Sequence, residues 1–181
     1  MAINLKQVFM RKSVIKLTYM AALTAVAVII FIIEAQIPLP LPIPGIKLGL
    51  ANAVTLFVLF YPQKKANLTT VDAFTILICR ILLGAIFTGR LTAFLYSITG
   101  GLLGFAAQAV IKRFVSHKQI WVCGAIGATF HNIGQILAAM LITGTPSIAA
   151  YLPVLIIAGI FTGALTGLIV QFTIARLAPT G

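Results

Sequence analysis

The side chains that could do chemistry in this sequence are few and widely separated. The sequence has two acidic residues, Glu34 and Asp72, together with two histidines and two cysteines. No spacing of Cys and His suits zinc, and no Gly-rich phosphate loop ending in Gly-Lys-Ser/Thr is present. Two distant acids form no carboxylate cluster that could hold Mg²⁺ on a diphosphate. This inventory predicts a protein that is not an enzyme, with no catalytic residue, metal or cofactor of its own.

A second group of polar side chains is better suited to binding a small molecule than to catalysis. They are Glu34, Lys47, Asn52, Arg80, Arg90, His131, Asn132 and Gln135. The cations would attract an anionic group, and the amides and imidazole would supply directional hydrogen bonds. His131 and Gln135 are four residues apart and would share one face of a helix.

Each of these residues also has a plainer structural interpretation. Glu34 could pair with Lys47 or Arg90, His131 could be a packing histidine, and Arg80 could bind a carbonyl group, water or an anion. Asp72 follows Thr69 at capping-box spacing, which indicates a helix cap.

The composition is that of a membrane protein. Of the 181 residues, 61% are hydrophobic and 8% are charged, far outside the usual soluble range. A net charge of +11 would suggest nucleic acid in a soluble protein, but here the bases flank apolar runs. They are therefore better explained as topology signals and contacts to anionic lipid. Cys79 and Cys123 lie inside apolar runs and would be small buried hydrophobes.

The apolar runs predict an all-α, integral membrane bundle of six transmembrane helices in a single domain, residues 1–181. A basic segment, residues 1–16, would lie at the membrane interface before the first helix. We expect helices at about 17–36, 48–61, 70–87, 91–111, 120–142 and 148–175. The first helix follows basic residues as in a signal peptide, but no small-residue cleavage site closes it, so we expect it to be retained.

The charge distribution predicts that both termini are cytoplasmic. Ten of the 13 Lys and Arg residues fall in the N-terminal segment, the 2–3 and 4–5 loops and the C-terminus. Positive charge marks the cytoplasmic side, and a bacterial cytoplasmic membrane is the expected location. Most of the polar side chains then lie in the outer half of the membrane, on different helices. Because such groups are costly unless they face protein or water, we expect one water-accessible pocket that opens outward.

The stretch Ile37–Asn52 is expected to cover that pocket. Its sequence is IPLPLPIPGIKLGLAN, in which alternating prolines rule out helix while most other residues are apolar. Backbone of this kind is tolerated at membrane depth only where protein buries it or water reaches it. The alternative is a plain connecting loop that rests on the bilayer interface.

Small residues at a spacing of four mark two helices for close packing. Ala21 and Ala25 lie near the start of the first helix, and Gly159, Gly163 and Gly167 lie along the last. Such spacing lets helices approach closely in lipid. We expect the glycines to pack within this bundle, whereas Ala21 and Ala25 would meet a partner protein.

Four stretches carry a resemblance to a known family: PIPGIKLGLANAVTLF, DAFTILICRILLGAIFTG, FLYSITGGLLG and GATFHNIGQ. Over about residues 15–175 the sequence resembles the Gx transporter family, often labelled heptaprenyl diphosphate synthase component I. That family is related to the substrate-binding S components of energy-coupling factor (ECF) transporters.

The resemblance implies an importer subunit that binds a vitamin-like micronutrient from outside. S components dock onto a transmembrane T component and two ATPases, through an AxxxA motif that Ala21 and Ala25 match in spacing. The loop between helices 1 and 2 covers the site, which corresponds to Ile37–Asn52. We therefore expect an ECF substrate-binding subunit whose ligand is anionic and partly apolar, such as a flavin, a quinone or prenyl precursor, or a heme-like compound. The alternatives are a membrane accessory subunit of isoprenoid (heptaprenyl diphosphate) synthesis and a stand-alone small-molecule transporter.

Overall fold

The computed structural model describes residues 5–37, 47–61, 67–89 and 91–177, with the side chains of the first helix described from residue 12. Within these ranges the chain is all-helical and contains no strand. The α-helices are α1 (Leu5–Glu34), α2 (Asn52–Phe60), α3 (Thr70–Thr88), α4 (Leu91–Ile111), α5 (Ile120–Thr143) and α6 (Leu152–Leu177). Short 3₁₀ turns at His117–Gln119 and Pro146–Tyr151 lead into α5 and α6.

Five of the helices are long and apolar enough to cross a membrane, so the chain is a multi-pass membrane protein. They are α1, α3, α4, α5 and α6, of which α5 and α6 include their preceding 3₁₀ turns. The nine residues of α2 rise only about 14 Å, roughly half of the hydrocarbon thickness.

Three helix starts differ from those expected by four residues or more. Helix α6 begins at Leu152 instead of near residue 148, because the 3₁₀ turn Pro146–Tyr151 precedes it. Helix α1 begins at Leu5 instead of near residue 17, because the basic segment simply continues the helix. Whether that segment lies at the membrane interface stays a prediction. Helix α2 begins at Asn52 instead of residue 48, since Gly49 has a positive φ of 80° that no helix accommodates.

One end of the bundle collects the starts of α1, α3 and α5 and the ends of α2 and α6. Lys16 on α1 forms an ion pair of 2.8 Å with Asp72 at the start of α3. At the end of α2, Phe60 packs edge-on against His117, and the Tyr61 hydroxyl donates to the Leu177 carbonyl. The expected cap of α3 is confirmed, since Thr69 and Asp72 form a reciprocal capping box. We call this the basic end.

Helix α2 starts in the middle of the bundle and runs to the basic end. Its first residue, Asn52, contacts Arg80 halfway along α3. Gly49, just before it, lies against His131 halfway along α5. The non-helical residues 47–51 therefore lie at mid-depth in the bundle, where protein surrounds their backbone.

The glycines of α6 pack within the bundle, as expected. Gly163 lies against the backbone of Gly124 on α5, and a Cβ at Gly163 would come within 2.7 Å of the Ala128 Cβ. Gly167 likewise meets the backbone of Trp121. This close approach packs α6 tightly against α5, the helix that carries His131 and Gln135.

Helix α1 is the most peripheral of the long helices, packing mainly on α3 and α2. Ala21 and Ala25 are exposed on its outer surface, beside the exposed side chains of Leu17 and Val26. The structure thus leaves both alanines accessible to a partner, and partner docking stays a prediction.

Candidate functional site

Six polar side chains from five parts of the chain meet in the middle of the bundle. We call them the polar cluster: Glu34, Lys47, Asn52, Arg80, His131 and Gln135. They come from the end of α1, the segment before α2, the start of α2, and the centres of α3 and α5. Each is at most 7% exposed, so the cluster is enclosed by protein. Buried charges and amides at this depth are rare, and their convergence is the feature of this fold that most needs a functional explanation.

The segment before α2 is attached to the cluster through its backbone. The Gly49 N–H donates to Glu34 Oε1, and the Leu50 N–H also interacts with that carboxylate. The Lys47 N–H donates to Gln135 Oε1 at 3.3 Å. Residues 47–50 are therefore held between α1 on one side and α5 on the other.

The two cations of the cluster share an aromatic neighbour. Lys47 Nζ lies 3.2 Å from the centroid of the Phe31 ring, and Arg80 Cζ lies 5.8 Å from it. Arg80 also donates through Nη2 to Asn52 Oδ1 at 3.1 Å. The Phe31 ring fits against Gly84, where a Cβ would come within 2.5 Å of it. The Phe31 ring is thus held against α3 by Gly84 and contacts both positively charged side chains.

His131 and Gln135 lie on the same face of α5, as their spacing predicted, with 3.0 Å between their Nε2 atoms. If the amide of Gln135 donates, the imidazole is the neutral tautomer that carries its proton on Nδ1. Gly100 and Gly104 let α4 cover this face, since a Cβ at Gly100 would lie 2.7 Å from the His131 carbonyl oxygen.

The cluster keeps hydrogen-bonding capacity that its own members do not use. Asn52 Nδ2 and Arg80 Nε are buried donors without a hydrogen-bond partner among the described residues. Buried polar groups are nearly always satisfied, so such donors call for a ligand or ordered water. The arrangement can bind a polar, negatively charged group by charge and by directed hydrogen bonds.

The six residues of the polar cluster do not include two of the eight expected binding residues, Asn132 and Arg90. Asn132 is buried at the α5–α6 interface, where its Nδ2 donates to the Leu155 carbonyl at 2.6 Å and approaches Gly159. Arg90 lies outside the described residues, as does most of the expected cover, residues 38–46. A ligand contact for any of the eight residues, and the outward opening of the site, stay predictions.

The comparison with protein families decides the relationship of this chain. A family model described as heptaprenyl diphosphate synthase component I matches residues 23–173. The chain belongs to that family. The match includes every member of the polar cluster, and it confirms the resemblance that the sequence motifs indicated. No curated protein and no solved structure matches the chain.

Several residues around the cluster could not be singled out from the sequence of this family member. Phe31 looks like any other apolar residue of α1, and only the fold places it beside two cations. A signal was present on α4, where small and polar residues recur every three or four positions. All are buried on one face: Ser97, Gly100, Gly101, Gly104 and Gln108. That period distinguishes a protein-facing stripe from a lipid-facing one.

Replacing Gly49 with alanine is expected to displace the segment before α2. The change forces a Cβ into a positive-φ position, at a cost of about 1–2 kcal/mol. It also brings that atom to 3.0 Å from Asn52 Nδ2 and His131 Cδ2. Gly144→Ala is the matched control, since Gly144 has a φ of 63° with nothing within 4 Å of its Cβ position.

Thermal unfolding of the purified variants in detergent measures the difference. Both should lower the melting temperature, and Gly49→Ala should lower it further because it adds a clash to the same backbone strain. Equal shifts would show that the Gly49 contacts with the cluster are unimportant.

Proposed function

We propose that this protein is the substrate-binding subunit of an ECF-type importer. The observation that carries the proposal is the buried polar cluster, covered at mid-depth by the non-helical segment 47–51. Such a site binds a small molecule but contains no means of driving it across the membrane. A T component and two ATPase subunits would supply the energy, and the chain itself would not be an enzyme.

The proposed orientation places both termini in the bacterial cytoplasm. Helix α2 would complete a sixth crossing together with the apolar segment that precedes it. Of the Lys and Arg residues whose side chains the structure describes, all but Lys47 and Arg80 lie on the basic-end segments or on the connection from α4 to α5: Lys12, Lys16, Lys112, Arg113, Lys118 and Arg176. The positive-inside rule supports a cytoplasmic basic end, so that the ligand would enter from the opposite, outer side.

The cluster chemistry supports a ligand that is small, anionic and partly apolar. Lys47 and Arg80 would provide charge, and Asn52, His131 and Gln135 would provide hydrogen bonds. Phe31 and the apolar residues between the helices suit a hydrophobic body. Docking to the T component would use the exposed alanines of α1, Ala21 and Ala25.

The family description favours a second candidate, a membrane accessory subunit of heptaprenyl diphosphate synthesis. The structure keeps the two acids of the chain in different places. Asp72 caps α3 at the basic end and pairs with Lys16, whereas Glu34 belongs to the cluster. Because two separated carboxylates cannot jointly hold Mg²⁺ on a diphosphate, this role would be assistance to a catalytic subunit.

Affinity purification from native membranes tests these candidates. An importer subunit should bring down a T subunit and ATPases. Recovery of a prenyl synthase instead would support the accessory role, and recovery of the chain alone would support a stand-alone transporter. Either of the last two outcomes would contradict our proposal.

A further inference from the structure

The segment before α2 forms a small anion-binding site that the chain's own Glu34 occupies. The Gly49 N–H donates to Glu34 Oε1, and the Leu50 N–H interacts with the same carboxylate. The positive φ of Gly49 turns successive N–H groups toward one point, which is the geometry of a backbone anion nest. The N-terminus of α2 begins directly after it and adds the positive end of a helix dipole.

The charges around this nest exceed the single carboxylate that it holds. Lys47 and Arg80 are both buried and both attract Glu34 electrostatically. Arg80 Nε and Asn52 Nδ2 remain buried donors without a partner in the described part of the chain. Arg80 is 2% exposed, so water reaches it poorly. The surroundings of the nest thus offer an anion more donors than Glu34 uses, since Glu34 Oε2 also has no hydrogen-bond partner among the described residues.

Glu34 is poorly placed to be a permanent occupant. It is the last residue of α1, where the negative end of the helix dipole disfavours a carboxylate. The next residues, 35–37, are exposed, so the side chain could turn toward the end of the helix when displaced.

We propose that the nest is the recognition site for a carboxylate group of the ligand, and that Glu34 holds it until the ligand displaces it. This inference rests on the proposed function, because it names the ligand class of that same site. Exchanging one carboxylate for another leaves the charge of the buried cluster unchanged. A diphosphate would instead add several negative charges.

Chemical rescue tests the inference without knowledge of the ligand. Glu34→Ala empties the nest, and acetate is the smallest stable carboxylate that could refill it. At about 100 mM, sodium acetate should raise the melting temperature of the purified variant by about 3 °C or more over sodium chloride of equal ionic strength. The wild-type protein should show no such difference because Glu34 already fills the nest.

Asp72→Ala is the matched control, because it removes the other acid of the chain, which lies at the basic end. Acetate should not stabilise it. If Glu34→Ala cannot be purified in chloride, recovery only when acetate is present would equally support the inference. If it is recovered in neither salt, Glu34→Gln takes its place, with a smaller rise expected because the amide must be displaced.

Three results would overturn the inference: no acetate dependence in the variant examined, equal stabilisation of Asp72→Ala, or stronger stabilisation by pyrophosphate than by acetate. The last would indicate a diphosphate ligand. None of them affects co-purification with a T subunit, so the failure of this inference and the failure of the proposed function are separate results.

Discussion

Replacing Arg80 with leucine is expected to abolish ligand retention by the purified protein. Arg80 lies halfway along α3, is almost fully buried, and donates a hydrogen bond to Asn52 at the start of α2. Leucine would remove the positive charge. The Glu34 carboxylate would lose a favourable charge interaction and Asn52 would lose a hydrogen-bond donor, in an interior that water reaches poorly. Removing the charged partner of a buried hydrogen bond typically costs about 2 kcal/mol or more, so we expect affinity to fall at least about 30-fold.

The measurement is the amount of small molecule released on denaturation per mole of purified protein, determined by liquid chromatography and mass spectrometry. Arg113→Leu is the control. Arg113 is an exposed arginine at the basic end, so the variant protein should retain the ligand. The near-ultraviolet circular dichroism of each variant shows whether the bundle remains packed. Full retention by a folded Arg80→Leu protein would exclude Arg80 from the site.

Replacing Ala21 and Ala25 together with leucine should abolish uptake while leaving binding intact. Both alanines are exposed on α1, the helix with the least packing against the rest of the bundle. Small residues at this spacing allow a partner helix to approach closely, and two leucines would hold it away. Under the proposed function, docking would precede each transport cycle, so we expect at least about a tenfold loss of transport in cells.

Ala106→Leu provides the control for this experiment. Ala106 is exposed on α4, so the substitution adds one leucine of the same kind to another exposed surface of the bundle. It should leave both uptake and co-purification of the T subunit unchanged. If the Ala21/Ala25 variant transports normally, α1 does not dock through this face.

Features of the structure that depend on local spacing could be predicted from the sequence. The Thr69–Asp72 cap, the shared face of His131 and Gln135, and the glycine packing of α6 follow from intervals of three or four residues. The helical period fixes which side chains share a face, so these inferences require no knowledge of the tertiary fold.

Features that depend on the assembly of helices could not be predicted in the same way. The bond between Arg80 and Asn52 joins residues 28 positions apart, and no local pattern indicates it. The placement of Phe31 beside two cations is likewise a property of how α1 packs on α3. Asn132 follows His131 directly, but one residue turns a helix by about 100°, which directs it to α6 instead.

The most direct test of the central claim, that the buried polar cluster is a ligand site, is native mass spectrometry of the protein released from detergent. We predict a single non-lipid adduct, at one copy per chain, that is present on the wild-type protein and on Arg113→Leu and absent from Arg80→Leu. A wild-type protein that carries only phospholipid, or an adduct that persists on Arg80→Leu, would contradict the account.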